Sequence, residues 1–286
     1  MTMMRRVAIP QLVPTSFLFL ACCGLAGAQG PAGAEYGPYW QPPVVKGGPV
    51  KRLPDGKPDM SGYWAPRFNR AIFDIEDEPG RRGGPAAKGA IIDPPDGKIP
   101  YKPEAAAKAK DLREHHIYDE PEAHCFESGV PHSAYQQFGF QILQPAGYFL
   151  IAFEYAHSYR IIPTDGRAHI ASNIKLFMGD SVAHWEGDTL VVDTTNQNGR
   201  TWFDMVGNFT TPNIHVVERI TPVDANTINY EATIEDPTIY TRPWKIAGQW
   251  GRRIDPSYEQ FEFACDEGND DLQHYTEAVG GTAKAK

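Results

Sequence analysis

Glu154, His157 and Arg160, with Tyr155 and Tyr159 set among them, are the densest group of ionisable side chains in the apolar part of this chain. An imidazole beside a carboxylate is equipped for general acid–base work near neutral pH, because no other side chain titrates so close to it unperturbed. The same residue types also tie adjacent strands together as a structural network. His215 and Glu218, in HVVERI, form a second such pair. A strand's side chains alternate with a period of two, so these two face opposite sides and cannot both serve one site. On chemical grounds His157 is the expected acid–base group. Glu154 or Glu218 would set its charge, and Tyr155 or Arg160 would orient a ligand.

A third concentration lies in HWEGDTLVVDTTNQNGRTWFD, residues 184–204. Asp193, Thr194, Thr195 and Asn196 finish a strand. The following loop is expected to carry Arg200, Trp202 and Asp204 to a rim, where a mostly apolar ligand with one polar handle would fit. The competing reading is a loop pinned by Trp202 packing on the end of the sheet. EHHIYDEPEAHC holds His115, His116 and His124, but their spacing matches no closed structural metal site, so a solvated helix end and loop is expected, with a metal on these histidines as the alternative. Gly179-Asp180-Ser181-Val182-Ala183 resembles a nucleophile elbow without its last glycine, and no helix follows as that motif requires. Neither a phosphate-binding glycine loop nor a dinucleotide fingerprint is present, so no organic cofactor is expected.

The elements that must position these residues are strands. From Phe138 onward the chain reads as ten or so short apolar runs separated by turn signals at Asp165-Gly166, Glu186-Gly187-Asp188 and Asp224-Ala225-Asn226. NTINYEATIED alternates cleanly, with Ile228, Tyr230, Ala232 and Ile234 on one face. Consecutive strands without helices between them argue for an all-β fold. The expectation is an antiparallel meander closed into a barrel, which hides its edges, with a two-sheet β-sandwich as the alternative.

Residues 29–103 are rich in Pro and Gly and read as an extended arm packing on that barrel, with LPDGKPDMSGYW as its anchored stretch. Residues 104–137 read as a helix and loop, the helix opening at Pro103. The barrel proper is expected over 138–266, with a tail at 267–286.

The first 28 residues have the form of a secretory signal: Arg5 and Arg6, a short apolar run, then Ala26-Gly27-Ala28. Acylation at Cys22 or Cys23 is the lipoprotein alternative. Cleavage would take the formal charge from −9 to −11, since the segment holds two arginines and no acid. That balance disfavours nucleic acid. It would also leave Cys125 and Cys265 as the only cysteines, which in an oxidising compartment read as one disulfide.

LPDGKPDMSGYW, EYAHSYRII, MGDSVAHWEGDTLVVDTTN and HVVERITPVDANTINYEATIEDP together resemble a large group of secreted bacterial proteins of unknown function. The resemblance implies secretion and a shared architecture and carries over no catalytic residue. The meander is lipocalin-like by analogy of fold alone. Three functions are consistent with these residues. One is a periplasmic or secreted, cofactor-independent acid–base enzyme (lyase, isomerase or hydrolase) acting on a small, partly apolar molecule. The others are a periplasmic binding protein for such a molecule and a cell-envelope interaction module.

Overall fold

A computed structural model of the chain describes residues 44–68, 71–76, 88–265 and 269. The signal segment with Cys22 and Cys23, the arm before residue 44 and nearly all of the tail lie outside the described residues. The chain forms β1 (Gly62–Arg67), β2 (Ile91–Asp93), α1 (Pro103–His115), β3 (Phe140–Leu143), β4 (Tyr148–Phe153), β5 (Tyr159–Pro163), β6 (Asp180–Glu186), β7 (Thr189–Thr195), β8 (His215–Asp224), β9 (Thr227–Glu235) and β10 (Trp244–Arg252).

The strands join in the order β5-β4-β3-β1-β10-β9-β8-β7-β6, every pair antiparallel, with β2 adding to β10 off this path. The sheet is a nearly closed barrel, as the run of consecutive strands suggested. Its path holds an odd number of strands, nine, so the two end strands β5 and β6 run parallel to each other. An antiparallel ladder cannot close such a pair. They lie side by side without backbone pairing, and the barrel keeps one unsealed seam.

The interior is filled. Ile228, Tyr230, Ala232 and Ile234 of β9 all face inward and are buried, and Trp64, Phe140, Trp244 and Trp250 pack among them. Burying each large apolar side chain contributes roughly 1.5–3 kcal/mol. Among the described residues the inside of the barrel is thus a packed core of large side chains.

The arm does more than pack on the barrel. Its residues Gly62–Arg67 are a stave of it, β1, inserted between β3 and β10. The stretch LPDGKPDMSGYW fastens that stave. The Trp64 indole donates to Met60 O at 2.8 Å, and Gln144 clasps the segment by accepting from Met60 N at 2.6 Å and donating to Pro58 O at 3.0 Å. Arg52 reaches across to Asp188 in the β6–β7 turn. Helix α1 begins with proline in its first turn as expected, and its Ala105 and Ala109 are buried against Trp202 and Phe209. The disulfide Cys125–Cys265 joins residues 140 apart in sequence. Among the described residues, no helix is long and apolar enough to cross a membrane.

Candidate functional site

The structure does not assemble the four expected acid–base residues into one site. EYAHSYRII is broken by a tight turn: Ala156 and His157 both take φ near +52°, so β4 ends at Phe153 and β5 starts at Tyr159. His157 thus stands at a hairpin tip, its side chain 56% exposed, with its Nε2 2.9 Å from a still more open carboxylate, Glu262. His157, expected as the acid–base group between Tyr155 and Tyr159 in a buried strand, is instead solvent-facing. The cause is the left-handed pair Ala156-His157, which turns the ring outward. Glu154 is buried, but it serves as a clamp. It accepts from Gly139 N at 2.6 Å, from Phe261 N at 3.1 Å and from the Tyr258 hydroxyl, holding the C-terminal segment to the barrel. Tyr155 donates to Glu122 O at 3.1 Å and stacks between Phe138 and Phe263, close to Cys265.

His215 and Glu218 face opposite sides of β8, as the strand period requires. Glu218 points into the barrel and pairs with Arg160 through contacts of 2.8 and 2.5 Å. Arg160 also donates to Ser181 Oγ at 2.9 Å and Thr194 Oγ1 at 3.1 Å, and the Tyr230 hydroxyl donates to Glu218 at 2.9 Å. One side chain of β5 therefore bonds to β6, β7 and β8 across the unsealed seam. Burial works to lower the guanidinium's pKa. The charge and hydrogen bonds of Glu218 outweigh it, and the pKa stands above its ordinary value. Of the Arg160 nitrogens, Nε is buried without a hydrogen-bond partner among the described residues. Ser181, the serine of the elbow-like stretch, is occupied by Arg160 and Thr194 and has no imidazole on it.

His215 lies on the outer face with Asp193 and a residue that the strand pattern did not single out, His169. Asp193 Oδ1 sits 3.1 Å from His215 Nε2 and 3.0 Å from His169 Nε2, while His169 Nδ1 is 2.7 Å from Asp180. The hydrogen bond from His215 holds Asp193 below the usual carboxylate range, and Asp193 in turn raises His215. His169 comes from the loop between β5 and β6, which carries no periodic signal by which to find it. Asn196, with φ at +60°, binds the same loop by donating to Ala171 O at 3.1 Å.

The rim expected from Trp202 and Asp204 is not a rim. Trp202 packs on Phe209 and α1, and Asp204 is wholly buried, accepting from Ile75 N at 3.0 Å and Asn208 Nδ2 at 2.6 Å. The pinned-loop reading holds for both. His115 and His116 share Asp111, and His124 turns to Tyr118 O.

Arg200 remains at the surface, and there the seam opens into a cleft of about 640 Å³. Its walls are Tyr159 and Ile161 from β5 and Leu176, Phe177 and Met178 from the β5–β6 loop. Arg160 and Ser181 lie in its floor, and Glu127, Lys175, Asp180 and Arg200 supply the charges. The chain matches no protein-family model and no curated protein sequence.

Proposed function

We propose that this protein binds a small, partly apolar molecule in the seam cleft, as an exported binding protein. The observation that carries the reading is the cleft itself: exposed Tyr159, Ile161 and Leu176 gather around an opening whose floor is polar and buried. Small-molecule sites have this composition, mostly apolar with a few fixed polar groups. The disulfide supports export to an oxidising compartment.

Isothermal titration of a library of small aromatic and aliphatic molecules tests it. A bound member should lose at least tenfold in affinity in the double variant Tyr159→Ala, Ile161→Ser, both exposed positions. It should be unaffected by Lys57→Ala, in a smaller cleft lined by Tyr148, Thr164 and Trp185. The reverse pattern would place the site elsewhere. A second reading, acid–base turnover in the same cleft, is favoured by one contact: Asp180 lines the cleft and bonds His169. It requires that His169→Gln stop turnover while binding persists.

A further inference from the structure

We propose that the polar handle of this molecule is a carboxylate gripped by Arg200, so that the cleft takes an organic acid with an apolar body. The inference rests on the cleft reading above and concerns what the cleft selects.

Arg200 differs from most other arginines among the described residues. Arg52, Arg113, Arg160, Arg167, Arg219 and Arg242 each face a carboxylate within 4 Å. The Arg200 guanidinium has no hydrogen-bond or ion-pair partner among the described residues, in a chain whose formal charge is −9. It is nonetheless placed, lying over the Phe126 ring at 4.8 Å and the Phe177 ring at 5.3 Å. Stacking uses the faces of a guanidinium and leaves its in-plane N–H groups available. That fork matches a carboxylate with two parallel hydrogen bonds. Phe177 also lines the cleft, so the stacked cation and the apolar wall meet at one residue.

The charges nearby agree. Lys175 spends one donor on Pro212 O at 2.8 Å and has no carboxylate partner among the described residues. Asp180 is engaged by His169 and by Ile170 N. In the floor, Arg160 Nε is a buried donor with nothing to bond. Glu127 is the one opposing charge left, and its partial burial already raises its pKa. An anion arriving beside Glu127 is repelled by it, so Glu127 limits affinity and Arg200 supplies it.

The test uses three probes with one body and different handles: 3-phenylpropanoate, 3-phenylpropanamide and 3-phenylpropanol. Each is titrated calorimetrically into the full mature protein. The carboxylate should bind at least about tenfold tighter than the other two, as a charge-assisted bidentate contact requires. Arg200→Gln should abolish that preference and leave the weak binding of the amide and alcohol unchanged. Arg200→Lys should restore only part of it, and Glu127→Gln should strengthen carboxylate binding. Arg200 is exposed, so its variants are expected to melt with the parent, and a melting curve checks this. If all three probes bind equally, the carboxylate inference falls and the cleft reading stands. If the preference survives Arg200→Gln, the assignment to Arg200 is overturned. If none of the three binds at millimolar concentration, both readings fail together.

Discussion

At the scale of single residues, the contrast is between Arg160 and Arg200, two guanidiniums lining one cleft. Arg160 is enclosed and neutralised by Glu218, with Tyr230, Ser181 and Thr194 completing the network. Arg200 is exposed and uncommitted. The buried pair is worth little as a net stabiliser, since both ions lose their hydration, but breaking it leaves a charge stranded in an apolar core. Glu218→Ala should therefore cost about 3–5 kcal/mol in urea unfolding, and Arg160→Met a similar amount. The double variant Arg160→Met, Glu218→Leu should recover much of that loss, because it strands no ion. Single variants that cost less than about 1 kcal/mol would mean that water reaches the pair, and the seam would then be open to its floor.

At the scale of elements, what could be read from sequence was whatever repeats along a strand. Ile228, Tyr230, Ala232 and Ile234 declared the inner face of β9, and the period of two separated His215 from Glu218. Two kinds of feature left no such trace. Pairing is one: Gly62–Arg67 has strand residues, but its place between β3 and β10 depends on partners far away in sequence. Unsignalled turns are the other. Ala156-His157 takes the positive φ that Asn-Gly would announce, so the strand seemed to continue and His157 to be buried. The β5–β6 loop shows the same limit, since His169 meets Asp193 only once the barrel is folded. That loop forms a wall of the cleft, and the His169–Asp193–His215 chain pins it. Asp193's depressed pKa makes its contribution available above the acid range, lost as pH falls through the folded value. His215's raised pKa makes its contribution present below about 6.5 and lost as pH rises through the folded value. The pin is strongest between those limits. Asp193→Asn should lower the melting temperature by about 1–3 °C at pH 5.5 and by almost nothing at pH 9, a small effect because the groups are partly solvated. A difference that grows toward pH 9 would contradict the pairing.

At the scale of the whole molecule, the acids buried away from the seam set a pH dependence of the opposite kind from most proteins. Burial, and then the charge of Glu122, raises Glu120 to about 8. Burial, and then the charge of Asp74, raises Asp204 to about 7. Both are buried in segments that bind the helix and loops to the barrel: Glu120 accepts from Glu122 N and Ala123 N, and Asp204 from Ile75 N. A carboxyl whose folded pKa exceeds its unfolded one stabilises the fold fully below the unfolded value. That contribution is lost as pH rises through the folded value. For these two groups the loss begins above about pH 4–4.5 and is complete near pH 8. The disulfide constrains chiefly the unfolded chain and has no proton to exchange, so it shifts the curve without bending it. Urea unfolding of the oxidised protein should therefore give a midpoint that falls steadily from pH 5.5 to pH 9. Glu120→Gln, which fixes the neutral form, should flatten the upper part of that fall. A midpoint that stays level or rises over the same range would show that Glu120 and Asp204 are ionised in the folded state at neutral pH. Their burial would then be offset by the backbone and amide donors around them.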